Sequence, residues 1–280
     1  MPSRRRSGKE SFYDLLSKAV DEFTDQGYQS AEQLEEWLRR MRAGIDGAIP
    51  DDLTLTREMR ETLDAIYKRM VDRGEILRQH PNVARFTYEK VKPKLRAELD
   101  RRIVASANLI KLNRKAAIDS TIHRMSGWMT SIPPGGTDVK YKQEVKDQAR
   151  KSLASLPFEA RRVVIDQSHK FVSNLSEILA TDGSALAGIW HSHYKQLHYN
   201  YRPDHRARDS EYYAVRNNWA LQRGLMKPGP KGYTDQITKP GEEVFCRCWY
   251  EYVYALRDLP DYMVTDNGRA ELQRVGALLS

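Results

Sequence analysis

The feature that most limits how this chain can fold is a change in hydrophobic period near Thr181-Asp-Gly-Ser. Before that segment, apolar residues recur every three or four positions, the spacing of a helix face. After it they alternate, the spacing of a strand. A chain with this pattern is expected to be mainly α, with an elongated helical N-terminal region followed by a small α+β domain. The expected divisions are a basic arm at 1–10, a helical region at 11–182, the α+β domain at 183–259 and a C-terminal tail or helix at 260–280.

Within the helical region, Phe12, Leu15, Leu16, Ala19, Val20 and Phe23 form one stripe that stops at Gly27. Ser30 with Gln33 reads as a capping box, opening a helix with Leu34, Trp37, Leu38, Met41 and Ile45 on one face. A third helix is expected from about Thr56 to Leu77. Pro93 reads as a boundary or helix start, and the pattern from Lys94 to about Met129 as a long spine or the arm of a helical hairpin. Pro133-Pro134-Gly135-Gly136 is the clearest breaker. Helices at about 138–156 and 158–180 follow.

Beyond the linker, Leu186 to Tyr194 and Cys246 to Ala255 read as strands, and 203–223 as a helix with Pro203 at its first position. On the second strand, Val244, Cys246, Cys248, Tyr250 and Tyr252 would share one face. This part of the chain holds His191, His193, His198 and His205, four of the seven histidines, and both cysteines. Such a concentration marks either a densely packed domain or a site.

Three chemistries fit these residues. Thiolates two apart on a strand could reach one Zn²⁺, with His205, His191, His193 or His198 completing the set. A His205–Asp209 pair at helical i, i+4 spacing could activate water, or Cys246 could act as a nucleophile with His205 as base. In the third reading the cysteines are small buried hydrophobes and Arg202, His205 and Asp209 form a bracing network. The residues by themselves favour this bracing role, with no cofactor required. Two thiols one residue apart would make a strained disulfide, which points to a reducing compartment.

The order Trp190, Arg202, His205, Asp209, Pro240, Gly241, Cys246, Arg247, Cys248 resembles the C-terminal domain of the Mu-type minor head proteins, the head morphogenesis family of tailed bacteriophages. The likeness covers roughly 185–256. Where such proteins often carry Gly directly after the Asp, this chain has Ser210. The resemblance implies a minor capsid protein inside the virion head, associated with the portal protein and with other head or ejection proteins. It implies sequence-independent contact with packaged double-stranded DNA, a part in head assembly and genome delivery, and residence in the host cytoplasm during assembly. It implies no catalytic residue.

Charge is compatible with a polyanionic partner. The formal net charge is +8, and Arg4, Arg5, Arg6 and Lys9 make the N-terminal arm a candidate phosphate contact. The Arg101, Arg102, Arg114 and Lys115 faces read as solvated. No apolar run approaches the ~20 residues of a membrane span, and the basic N-terminus lacks the apolar stretch of a secretory signal. Walker A, Gly-x-Gly-x-x-Gly and His-Glu-x-x-His patterns are absent. The alternatives to the virion reading are a metal- or thiol-dependent hydrolase using the His/Cys cluster and a basic nucleic-acid-binding protein outside a virion.

Overall fold

A computed structural model of the chain describes residues 12–48, 52–136, 143–144, 156–197 and 200–279. The protein is mainly α with a small α+β region. Eight helices are described: α1 Phe12–Gln26, α2 Ala31–Ala48, α3 Asp52–Tyr67, α4 Arg85–Ser131, α5 Leu156–Asp182, α6 Pro203–Ala207, α7 Trp219–Gln222 and α8 Asp266–Leu279. Three strands are described: β1 Ala187–His191, β2 Tyr212–Ala214 and β3 Trp249–Val253. Among the described residues no strand precedes 183, as the change of period predicts.

The chain forms two compact units, 1–58 with 105–163 and 59–104 with 164–280. The expected boundary near 182 lies inside the second unit. Residues 59–104 and most of α5 belong with the sheet rather than with the first helices.

The first unit is built on the stripes read from the sequence. Phe12, Leu16, Ala19, Val20 and Phe23 of α1 are buried with Trp37 and Met41 of α2. Ile122, Met125 and Met129 from the end of α4 close the same core. The Ser30 hydroxyl accepts the Gln33 amide at 3.2 Å, and the Gln33 side chain accepts the Gln29 amide at 3.1 Å. The second half of that exchange falls one residue earlier than in the standard capping box. The expected helix over 138–156 lies largely outside the described residues.

Two helix boundaries differ from expectation. The third helix ends at Tyr67 instead of Leu77, passing into a π turn at Lys68–Asp72 and a 3₁₀ turn at Glu75–Gln79. Pro93, expected at a boundary, lies inside α4, which is one continuous helix rather than a hairpin. An interior proline removes one backbone hydrogen bond. Here Tyr88, Val91, Leu95 and Leu99 on both sides of it are buried, so packing carries the helix through a position that propensity alone would end.

The sheet of the second unit is antiparallel with order β2-β1-β3. Gly188 faces Tyr213 on one neighbour and Tyr252 on the other, and Trp190 faces Tyr250. A Cβ on Gly188 would lie 2.9 Å from the Tyr250 ring, so the missing side chain makes room for that ring. One face of the sheet is aromatic and sulfur-rich, with Trp190, Tyr213, Tyr250, Tyr252, Cys246 and Cys248. The other is aliphatic, with Leu186, Ala187, Ala214, Val253, Met226 and Met263. No described helix is long and apolar enough to cross a membrane.

The expected helix over 203–223 is broken into α6, β2 and α7. Ser210 adopts φ +65° and turns the chain back along β1. The Ser210 amide then donates to Trp190 O at 2.7 Å, and the Trp190 amide to Glu211 O at 3.0 Å. The turn that the Asp-Gly pattern implies therefore forms on a serine.

Candidate functional site

The site is assembled by α6 and the segment that enters β3. His205 is held by the short helix, whose first position is Pro203. Cys246 and Cys248 lie just before β3, outside the paired strand, so the expected strand begins three residues late. Alternation still operates: Cys246, Cys248, Tyr250 and Tyr252 are buried on one face. Val244, expected with them, is exposed, because Phe245 at φ +60° reverses the chain between the two. Such a conformation is costly for an aromatic residue. It is held by Asp166, whose carboxylate accepts the Phe245 amide at 2.7 Å.

His205 Nδ1 lies 3.6 Å from Cys246 Sγ and 3.5 Å from Cys248 Sγ. All three side chains are buried. On the other side of the ring, Nε2 is 3.3 Å from Glu243 Oε2, and Arg202 Nε is 2.6 Å from the same oxygen. These approaches have ion-pair distances but not hydrogen-bond alignment, since His205 Nε2 and Glu243 Oε2 count among the buried polar atoms without a hydrogen-bond partner. The Trp190 ring meets His205 edge-on at 5.2 Å, and the Arg208 guanidinium lies over the indole at 5.1 Å.

The sulfurs face donors. Cys246 is pulled down to about 5, first by the Cys248 thiol and then by the Gly241 and Cys248 amides and His205, against the effect of burial. Cys248 is pushed far up by the neighbouring sulfur and by burial, opposed by the His193 amide. Gly241 supplies its amide from φ +77°, and a Cβ there would lie 2.4 Å from Ser173 Oγ. This accounts for the Pro240-Gly241 element of the sequence pattern.

Several expectations need correction. Asp209 does not pair with His205; its carboxylate accepts the Ser192 amide at 2.7 Å, tying the end of α6 to the exit of β1. The i, i+4 pairing fails because the helix stops at Ala207. His191 stacks on Trp249 at 4.2 Å instead of joining the cysteines, and its Nε2 lies 3.2 Å from Glu251 Oε2 without hydrogen-bond alignment. His193 lies beyond the end of β1, so the two imidazoles do not share a strand face. It lines a cavity of about 630 Å³ together with Cys248, His169, Arg247 and Lys239. Burial and the Arg247 charge hold His193 and His169 below the usual imidazole range. Arg247 also donates to Gln196 at 3.2 Å. His198 and Arg4, Arg5, Arg6 and Lys9 lie outside the described residues.

The basic faces of α4 are only partly solvated. Arg101 is exposed and bonded to Glu98 at 2.6 Å, and Lys115 is exposed. Arg102 is largely buried, within 3.4 Å of Glu98 and donating to Gln167 at 3.2 Å. Arg114 is half-buried, and burial lowers its pKa.

Sequence reading missed Glu243 and Asp166. Glu243 lies within the motif gap, two residues before Phe245, and its acidity beside a His/Cys set is a legible signal. Asp166 lies in α5, far from the motif in sequence, and nothing local marks it. Compared with protein-family models, with curated proteins and with solved structures, the chain finds no match in any of the three.

Proposed function

We propose that the protein is a minor head protein of a tailed phage, acting by binding rather than by catalysis, at the portal and on packaged DNA. The observation that supports this reading is convergence. Trp190, Arg202, His205, Gly241, Cys246 and Cys248, recognised only as a spaced pattern, gather around one buried centre. A pattern arising by chance would scatter. Asp209 serves the same domain by fastening β1 to α6. The net charge of +8 is compatible with phosphate contact.

The thiol-enzyme alternative gains one observation, the 3.6 Å approach of Cys246 to His205. Against it, Cys246 is 1% exposed, and a nucleophile must reach its substrate. The test of the main reading is co-expression with a portal protein, followed by cryo-EM of the assembled particle and salt-dependent DNA binding. Density on the portal is expected, with a logarithmic affinity for DNA that falls by about 0.9 per neutralised phosphate per decade of salt, whatever the sequence. Absence from the particle would overturn the reading. Absence of DNA binding at low salt would remove DNA from the partners.

A further inference from the structure

We infer that Cys246, Cys248 and His205 Nδ1 bind one Zn²⁺, with Glu243 orienting His205 from outside and Arg202 holding Glu243. The inference is independent of the virion role.

Distance carries the argument first. With Zn–S near 2.3 Å and Zn–N near 2.0–2.1 Å, tetrahedral angles place nitrogen and sulfur about 3.5–3.6 Å apart. The two separations here are 3.6 and 3.5 Å, and the three donor atoms all lie within 4.8 Å of one another. A single thiol–imidazole hydrogen bond could produce one such distance. As an acceptor Nδ1 has one lone pair and takes one S–H at a time, so two such distances call for either a shared N–H or a cation. A cation bonded to all three donors satisfies both.

Charge is the second consideration. Burying a net charge is expensive. Two thiolates and one neutral imidazole cancel the charge of Zn²⁺, so the loaded centre is neutral. Binding releases the thiol protons still present, and no oxidant or reductant is needed. Outside the centre, the Glu243 carboxylate is matched by Arg202.

The outer groups supply the third argument. A metal-bound histidine generally directs its other nitrogen to a carboxylate or carbonyl, which fixes the tautomer. His205 Nε2 lies 3.3 Å from Glu243 Oε2, the distance but not the alignment of such a bond, and a small rotation of the carboxylate would complete it. The three protein donors fill three of the four tetrahedral positions. The ion would fasten α6 to the strand that begins at Trp249, bracing a domain whose sheet has three short strands.

The test uses the full chain, purified under reducing conditions, stripped with a chelator and titrated with Co²⁺. A thiolate-to-cobalt charge-transfer band and tetrahedral visible bands should saturate at about one ion per chain, and Zn²⁺ should abolish them. Cys248→Ala and His205→Ala should lose the bands. Because those variants could fail to fold, Glu243→Gln is the decisive one: its side chain is one-third exposed, and affinity should fall roughly 10–100-fold with circular dichroism unchanged. A reduced, folded protein that gives no cobalt spectrum would overturn the proposal. So would unchanged affinity in folded Cys248→Ala and His205→Ala, or in Glu243→Gln.

Discussion

The two compact units solve burial by different chemistry. Among the described residues of the first, the buried polar side chains are hydroxyls: Thr24, Ser106 and Thr121. Thr24 and Thr121 return their protons to the carbonyl four residues earlier in the same helix. The second unit buries His80, Glu98, Asp166, Gln167, Ser176, His205 and Asn218, and most of these reach across elements. The first core is specified by apolar stripes, which tolerate exchange of similar shapes. The second is specified by donors and acceptors that must each find a partner. The chemistry of the molecule is concentrated in the unit that took on this cost.

A pair of substitutions should expose the contrast most strongly. Asn218 caps α7 by accepting the Ala220 and Leu221 amides at 3.0 and 2.9 Å. Its amide also donates to Leu186 O and Val215 O at 3.1 and 2.7 Å. Asn218→Ala removes the cap and takes one donor from each carbonyl, Leu186 O keeping the Val215 amide at 2.9 Å, and should cost about 2–4 kcal/mol. Thr24→Val removes one local hydroxyl bond with little change of shape, and should cost less than about 1 kcal/mol. Urea denaturation, resolved by hydrogen exchange at amides of α1 and β1, measures both. Equal costs would break the comparison.

Acidity gives the next test. His80 is buried, with Nδ1 2.6 Å from the Tyr254 hydroxyl and Nε2 2.9 Å from the Ser176 hydroxyl. Its ring stacks on Tyr252 at 5.0 Å. Burial lowers its pKa from 6.5 to about 3. The unfolded chain therefore binds a proton that the folded chain refuses. The contribution of neutral His80 is intact above pH 6.5 and is lost as pH falls from 6.5 toward 3, at up to about 1.4 kcal/mol per pH unit. His169 and His193, also lowered by burial, steepen the same trend. Exchange protection of β3 should fall over this window. His80→Phe should remove one proton's share of the slope, and an unchanged slope would show that His80 is not the group responsible.

The contrast also explains what could be read from sequence. The stripes of α1 and α2 and the Pro133-Pro134-Gly135-Gly136 stop are local signals and appear where they were placed; the alternation into β3 holds from Cys246 onward, although the paired strand begins only at Trp249 and Val244 falls outside it. Pro93 misled because the breaker rule is local, whereas Tyr88, Val91, Leu95 and Leu99 hold α4 by contacts that no local rule sees. In the site, Cys246, Cys248 and His205 were legible as residue types, but their meeting was not. It depends on Phe245 turning the chain at φ +60° and on Asp166 holding that turn. The His80–Ser176–Tyr254 group left no sequence trace, since three ordinary residues far apart become a unit only once the second unit folds.

The smallest effect concerns the position where this chain departs from the pattern it resembles. Ser210 sits at φ +65°, directly after Asp209. The left-handed region costs an L-residue roughly 1 kcal/mol, whereas glycine enters it freely. Glycine also gives the unfolded chain more freedom, which offsets part of that relief. The Ser210 side chain is exposed, so little packing is at stake. The backbone bond to Trp190 O is available to either residue. Ser210→Gly should therefore stabilise the second unit by about 0.5 kcal/mol. Ser210→Val, which brings a β-branched side chain to the same φ, should destabilise it by about 1–2 kcal/mol. Thermal melts of the three proteins order these effects. If valine were as stable as serine, the turn would not be held in the left-handed conformation in solution. The antiparallel return of 210–214 along β1, which brings β2 beside the strand that carries Trp190, would then need another cause.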